Sequence, residues 1–322
     1  VHQLSAQRLA RGQRPGPGMK TRTYFACDTP QMRALCQQIE TALAKTTDGA
    51  GAWFALVDTA FDHDGPPLTW PSAHARIYAH DRLAALAEVS PLLCELRTAH
   101  AHTLQREVLR LVSHAAGRPM LGFVQSRLPA DDLARALADV AAVSTADGQP
   151  FLLRWADTRV AEYLPQALTA AHWAQVASAV RQWWIVDRRG ELVQLALADP
   201  AQLPAEADKP IQLTDEELSH LIAAGEPDAL TQVLSEHFSD LLPKEGRAEL
   251  HRTLQRLCAL ARRCGVERFA RLQSLAVAVL GTRGALLDDP KFEPWLQLHA
   301  HDEHGFEDAL APWVESAEEQ PA

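Results

Sequence analysis

The sequence has little of what would set it in a membrane, staple it with disulfides or carry it onto nucleic acid. No apolar run reaches the roughly 18 residues that a membrane-spanning helix needs. Cysteine is scarce: Cys27, Cys36, Cys94, Cys258 and Cys264 are odd in number and form no CxxC pair. That pattern argues against a disulfide framework and reads as reduced thiols used as small hydrophobes, the habit of a cytoplasmic protein. Basic residues are outnumbered, 31 against 41 acidic, for a formal charge of −10. An acidic chain of this kind makes a poor nucleic-acid groove. The common catalytic signatures are missing as well: no GxSxG elbow, no Walker loop, no Rossmann glycine pattern and no HExxH. Gly16-Pro17-Gly18 follows no strand and opens no helix, so it does not read as a phosphate loop.

The chain is nevertheless well supplied with core. Of 322 residues, 47% are hydrophobic, enough for two domains. Residues 1–18 are basic and lack the apolar centre of a signal peptide. They are expected to be a tail without a role in the fold, with Met19 as an alternative start.

Apolar runs and helical periodicities then alternate. Thr29-Pro30 opens a helix carrying Leu35, Ile39 and Leu43. Trp53 to Val57 is a continuous apolar run that reads as an interior strand and ends in Asp58. Pro91 to Leu96 and Met120 to Val124 read the same way, with a helix bearing Leu104, Val108, Leu111 and Val112 between them. Asp147-Gly148 predicts one hairpin, and Asp187 to Gly190 a second. Phe151 to Leu168 is the densest stretch. It is expected to be a buried strand leading through Arg154, Asp157 and Arg159 into a helix capped by Thr158. A charged cluster at the end of a buried strand must pair internally, and the simplest pairing is Arg154 with Asp157.

Pro200, Pro204 and Pro210 mark a linker. Beyond it, Thr214 to Glu217 is a capping box, and Gly225 with Pro227 predicts a break before the next helix. The expected fold is therefore α/β (α+β). A tail at 1–18 precedes an α/β domain at 19–198 with a mixed, partly parallel sheet under covering helices. A linker at 199–210, a small all-helical domain at 211–314 and a frayed tail at 315–322 follow.

Candidate chemistry is sparse. His299, His301 and His304 lie with Asp302 and Glu303, and a pair of them could hold zinc given a third ligand; the plainer reading is a solvated helix end. His100 with His102 is a weaker pair of the same kind. Asp62-His63-Asp64 sits on a loop, where turn chemistry is the simpler account. Cys94 near a strand end has nothing beside it to lower a thiol pKa. Trp183 and Trp184 are neighbours on a strand, so one is expected inside and the other at the surface as a partner anchor.

Taken together, Ala55 to Ala60 (ALVDTA), PLLCEL at Pro91, MLGFVQS at Met120 and FLLRWADTRVAEYLP at Phe151 resemble the type VI secretion effector chaperone and adaptor family, domain-of-unknown-function family 4123. Asp58, Pro91, Gly122, Ser126, Arg154, Asp157, Arg159, Val160 and Pro165 stand at the matching places, over about Trp53 to Asp187. Thr158 stands where the family commonly has proline. The resemblance implies a cytoplasmic, non-enzymatic adaptor with neither cofactor nor metal. Its partners would be a toxic effector and the VgrG spike, with Asp58, Arg154, Asp157, Arg159, Trp183 and Trp184 as the residues to watch. The alternatives are a hydrolase or metal enzyme using the histidine cluster or the Asp62 loop, and a structural subunit of a larger assembly.

Overall fold

A computed structural model describes residues 23–44, 51–64, 66–79, 81–204, 209–302 and 305–318. The expected N-terminal tail lies outside these residues, as does the end of the C-terminal one. The described residues divide into two compact units, residues 27–224 and residues 23–26 with 225–318.

The first unit is built on a six-stranded sheet in the order β2-β3-β1-β4-β7-β8. The strands are β1 (Ala52–Val57), β2 (His74–Arg76), β3 (Leu92–Glu95), β4 (Leu121–Ser126), β7 (Gln182–Val186) and β8 (Leu192–Gln194). Their helices are α1 (Met32–Ala44), α2 (Ala101–Ala115) and α3 (Ala130–Ala141). β1 and β4 lie at the centre and are buried almost throughout, which is why their sequences do not alternate.

Every pairing in this sheet is antiparallel, where a partly parallel sheet is expected from the interleaved helices. The reason is topological. α2 does connect two parallel strands, β3 and β4, but β1 lies between them and is antiparallel to both. Both predicted hairpins form. β5 (Ala142–Ser144) and β6 (Pro150–Leu152) make a small separate sheet, and β7 with β8 closes one edge of the large one. Gly190 supplies the positive φ of +76° that the second turn needs, and a Cβ there would come within 2.6 Å of Pro30.

One face of the sheet, with Phe54, Leu56, Val124, Trp183 and Ile185, packs into a core with α3, Trp155 and Trp173. Trp155 meets Trp183 edge-on at 5.9 Å between ring centres. Ile211 and Leu213 are fully buried in the same core. The unit therefore runs past the expected end at Ala198 and includes the start of α7 (Asp215–His237).

The predicted break at Gly225–Pro227 does not occur, and α7 continues through Pro227. Proline deletes one helical hydrogen bond, but Leu230 and Leu234 on the following turns are completely buried and hold the helix together. In the second unit these leucines share a core with α8 (Arg247–Arg263), α9 (Phe269–Gly281), α10 (Phe292–His299) and α11 (Phe306–Glu318). No helix among the described residues is long and apolar enough to cross a membrane.

Candidate functional site

Asp58 is the first residue past β1. Its backbone N–H donates to the Met120 carbonyl at 2.9 Å, at the entrance to β4. The N–H of Thr158 donates to the neighbouring Pro119 carbonyl at 3.1 Å. One end of the central strand pair thus holds both Asp58 and the Leu153–Arg159 turn.

That turn differs from expectation in three ways. Phe151 is 37% exposed where a buried strand is expected, although β6 does pair with β5 in the hairpin that Asp147-Gly148 predicts. The buried part begins at Leu153 and Trp155. The helix cap is Asp157, whose carboxylate accepts from the Arg159 N–H at 3.1 Å, so the cap lies one residue before Thr158. Finally, Pro165 divides the helical stretch into α4 (Thr158–Ala161) and α5 (Leu164–Ala167), with Pro165 in the first turn of the second. A third short helix, α6 (Ala170–Val176), follows.

The ion pairing is likewise redistributed. Arg154 reaches across the fold to Asp58, Nη2 to Oδ2 at 2.8 Å, and stands 3.8 Å from Asp157. Asp157 takes its own close partner, Arg159, through two bonds of 3.0 and 2.8 Å. Both guanidinium groups lie over the Phe61 ring, at 5.3 and 5.4 Å from its centre. Phe61 gave no signal of its own in the sequence. It arrives because the 3₁₀ turn Thr59–Asp64 folds back on Asp58, whose carbonyl accepts from the Phe61 N–H.

The Asp58 side chain is 3% exposed and that of Arg154 is 38% exposed. Arg154 is therefore a solvent-side lid over two buried carboxylates. Burial pushes the Asp58 carboxyl above its ordinary pKa, with Arg154 pulling the other way and Asp157 adding to the rise.

The remaining candidates are dispersed. Asp62 accepts from Arg118 and lies 2.8 Å from His114 Nε2, which ties its loop to the end of α2. His63 Nδ1 sits 3.0 Å from the Ala60 carbonyl. The Asp64 side chain lies outside the described residues. Cys94 is fully buried, and burial with the Glu107 charge drives its thiol well above the usual range. His100 and His102 are exposed. His299 pairs with Asp302 at 2.7 Å, His301 is exposed, and Glu303 and His304 lie outside the described residues. Among the described residues no three His, Cys, Asp or Glu side chains converge as a metal ion requires. Trp183 is fully buried, whereas Trp184 on the opposite face is half-buried and donates its indole N–H to Gln182 at 3.2 Å.

Asp58, Arg154, Asp157 and Arg159 all fall within one recognisable block. Residues 53–175 match the family model described as a domain of unknown function, DUF4123. To that family this stretch is similar. Trp183 and Trp184 lie beyond the matched residues. No curated protein and no solved structure matches the chain.

Proposed function

We propose that this chain is a non-enzymatic adaptor that binds a toxic effector of a type VI secretion system and loads it onto the VgrG spike. The observation that carries the reading is the DUF4123 match over residues 53–175, a family associated with effector adaptors of that system. The order of its motifs along the chain supports it. So does the use of the polar cluster: the Asp58, Arg154, Asp157 and Arg159 side chains bond to one another and to backbone N–H groups, leaving Arg154 as the member that faces solvent. On this reading the adaptor works in the cytoplasm, needs no cofactor, and presents surfaces rather than a reacting group.

The test is co-purification of the tagged full chain from its own bacterium. A complex containing both a spike protein and a toxin encoded beside it is the expected result. Recovery of neither at native expression, with the tagged chain folded and abundant, overturns the reading.

A further inference from the structure

We infer that strand β8, the last strand at one edge of the large sheet among the described residues, is a docking edge that takes an extended, uncharged segment of another protein as a seventh strand. The inference stands on the geometry of the first unit and goes beyond the adaptor reading.

Hydrogen bonding along the β7–β8 hairpin sets which way the edge faces. Asp187 N–H donates to Glu191 and Leu195 N–H donates to Trp183, each across the hairpin. In an antiparallel ladder such pairs alternate, so Leu192 and Gln194, in register with Val186 and Trp184, turn their backbone groups outward. β8 is the last strand of its sheet. Val193 is 39% exposed, and Gln194 is exposed beside it. The outward N–H of Leu192 is met only loosely, by the Gln38 side-chain carbonyl at 3.4 Å. That amide stands where the carbonyl of an incoming strand would sit.

The two edges of the sheet are treated differently. At the far edge β2 carries His74 and Arg76, and Arg76 bonds to the Ala87 carbonyl. The Arg76 charge discourages strand addition. β8, with the sequence Leu-Val-Gln, has neither charge nor proline. Beside it an open groove of about 740 Å³ runs between α1 and the hairpin, floored by Trp184 and Leu192 and walled by Gln37, Gln38 and Thr41. Among the described residues no charged side chain lines it, although the chain carries −10 overall. Such a groove accepts alternate side chains of a strand if they are apolar or neutral, while the edge supplies the main-chain bonds. A second copy of this chain is a poorer occupant, because two chains of that charge repel.

The probe is a displayed library of short random peptides selected on the full chain. The amide exchange of Gln194 and the affinity of two edge variants are then read out. Gln194→Pro removes an outward N–H that the ladder does not use, a place where an edge strand tolerates proline. Gln194→Lys keeps the backbone and adds a charge, so it carries the test should the proline variant melt lower. The expected result is enrichment of uncharged sequences that slow Gln194 exchange, with affinity lost at least about tenfold in the variants at unchanged melting temperature. Three results overturn the inference: no enrichment, peptides that bind without protecting Gln194, or a concentration-dependent dimer that protects it. Co-purification of spike and effector is a separate readout, so the adaptor reading can hold while this inference falls.

Discussion

Among single residues, Arg154 and Asp58 have the most to lose. Arg154→Ala leaves Asp58 buried with the Ala60 N–H as its remaining bonded donor. A fully buried broken pair would cost about 3–5 kcal/mol, but Arg154 is open to solvent, so about 1–3 kcal/mol is expected. Chemical denaturation measures it, and an unchanged midpoint would show that the pair contributes nothing to stability. The sign of the pH effect follows from the raised Asp58 pKa. A carboxyl that holds its proton more tightly when folded contributes stability that is present below about pH 4 and fades as pH rises through the folded value. Asp58→Asn should therefore flatten this part of the melting profile between acid and neutral pH, and a profile parallel to that of the parent would refute the assignment.

At the scale of elements, one side chain links two helix starts. Glu217 completes the capping box at the start of α7 by accepting from Thr214 N–H at 2.8 Å, and it also accepts from Thr169 N–H at 2.7 Å at the start of α6. His172 Nδ1 lies 2.8 Å from the same carboxylate. Burial by itself raises the Glu217 pKa, yet these donors outweigh it and the net direction is down. Its contribution is thus present above about pH 4.3 and lost as pH falls through the lower folded value, the opposite of Asp58. Glu217→Ala takes the shared acceptor from part-buried N–H donors at two helix starts at once and should cost about 1–3 kcal/mol at neutral pH. Equilibrium unfolding tests this, and a loss below about 0.5 kcal/mol would mean that water replaces the carboxylate.

The whole first unit depends on residues just past the linker, which the sequence assigns to the helical domain at 211–314. Ile211 and Leu213 are 2% and 0% exposed. A fragment ending at residue 198 forfeits both, about 3–6 kcal/mol of apolar burial by area, and loses Glu217 as well. It should melt well below a fragment ending at residue 224, or fail to melt cooperatively. Equal calorimetric transitions for the two fragments would place the unit's boundary at Ala198 after all.

Local chemistry was legible wherever a few neighbouring residues decide the outcome. The apolar run Trp53–Val57, the Asp147-Gly148 and Gly190 turns, the Thr214–Glu217 cap and the burial of one of the Trp183–Trp184 pair all depend on side-chain period or backbone freedom within one element. The order of the motifs from Asp58 to Pro165 carries the resemblance to a family, placed over about Trp53 to Asp187, of which the family model matches residues 53–175. Long-range pairing was not legible. Asp157 lies three residues from Arg154 and is the natural partner on spacing, but the guanidinium reaches Asp58, 96 residues away, because the β1–β4 pairing draws both to one end of the sheet. Phe61 under both arginines, β1 inserted between β3 and β4, the continuity of α7 through Pro227 and the open edge at β8 have the same origin. Each is settled by which surfaces meet after the chain collapses, and burial at those contacts outweighs the local preferences a sequence displays.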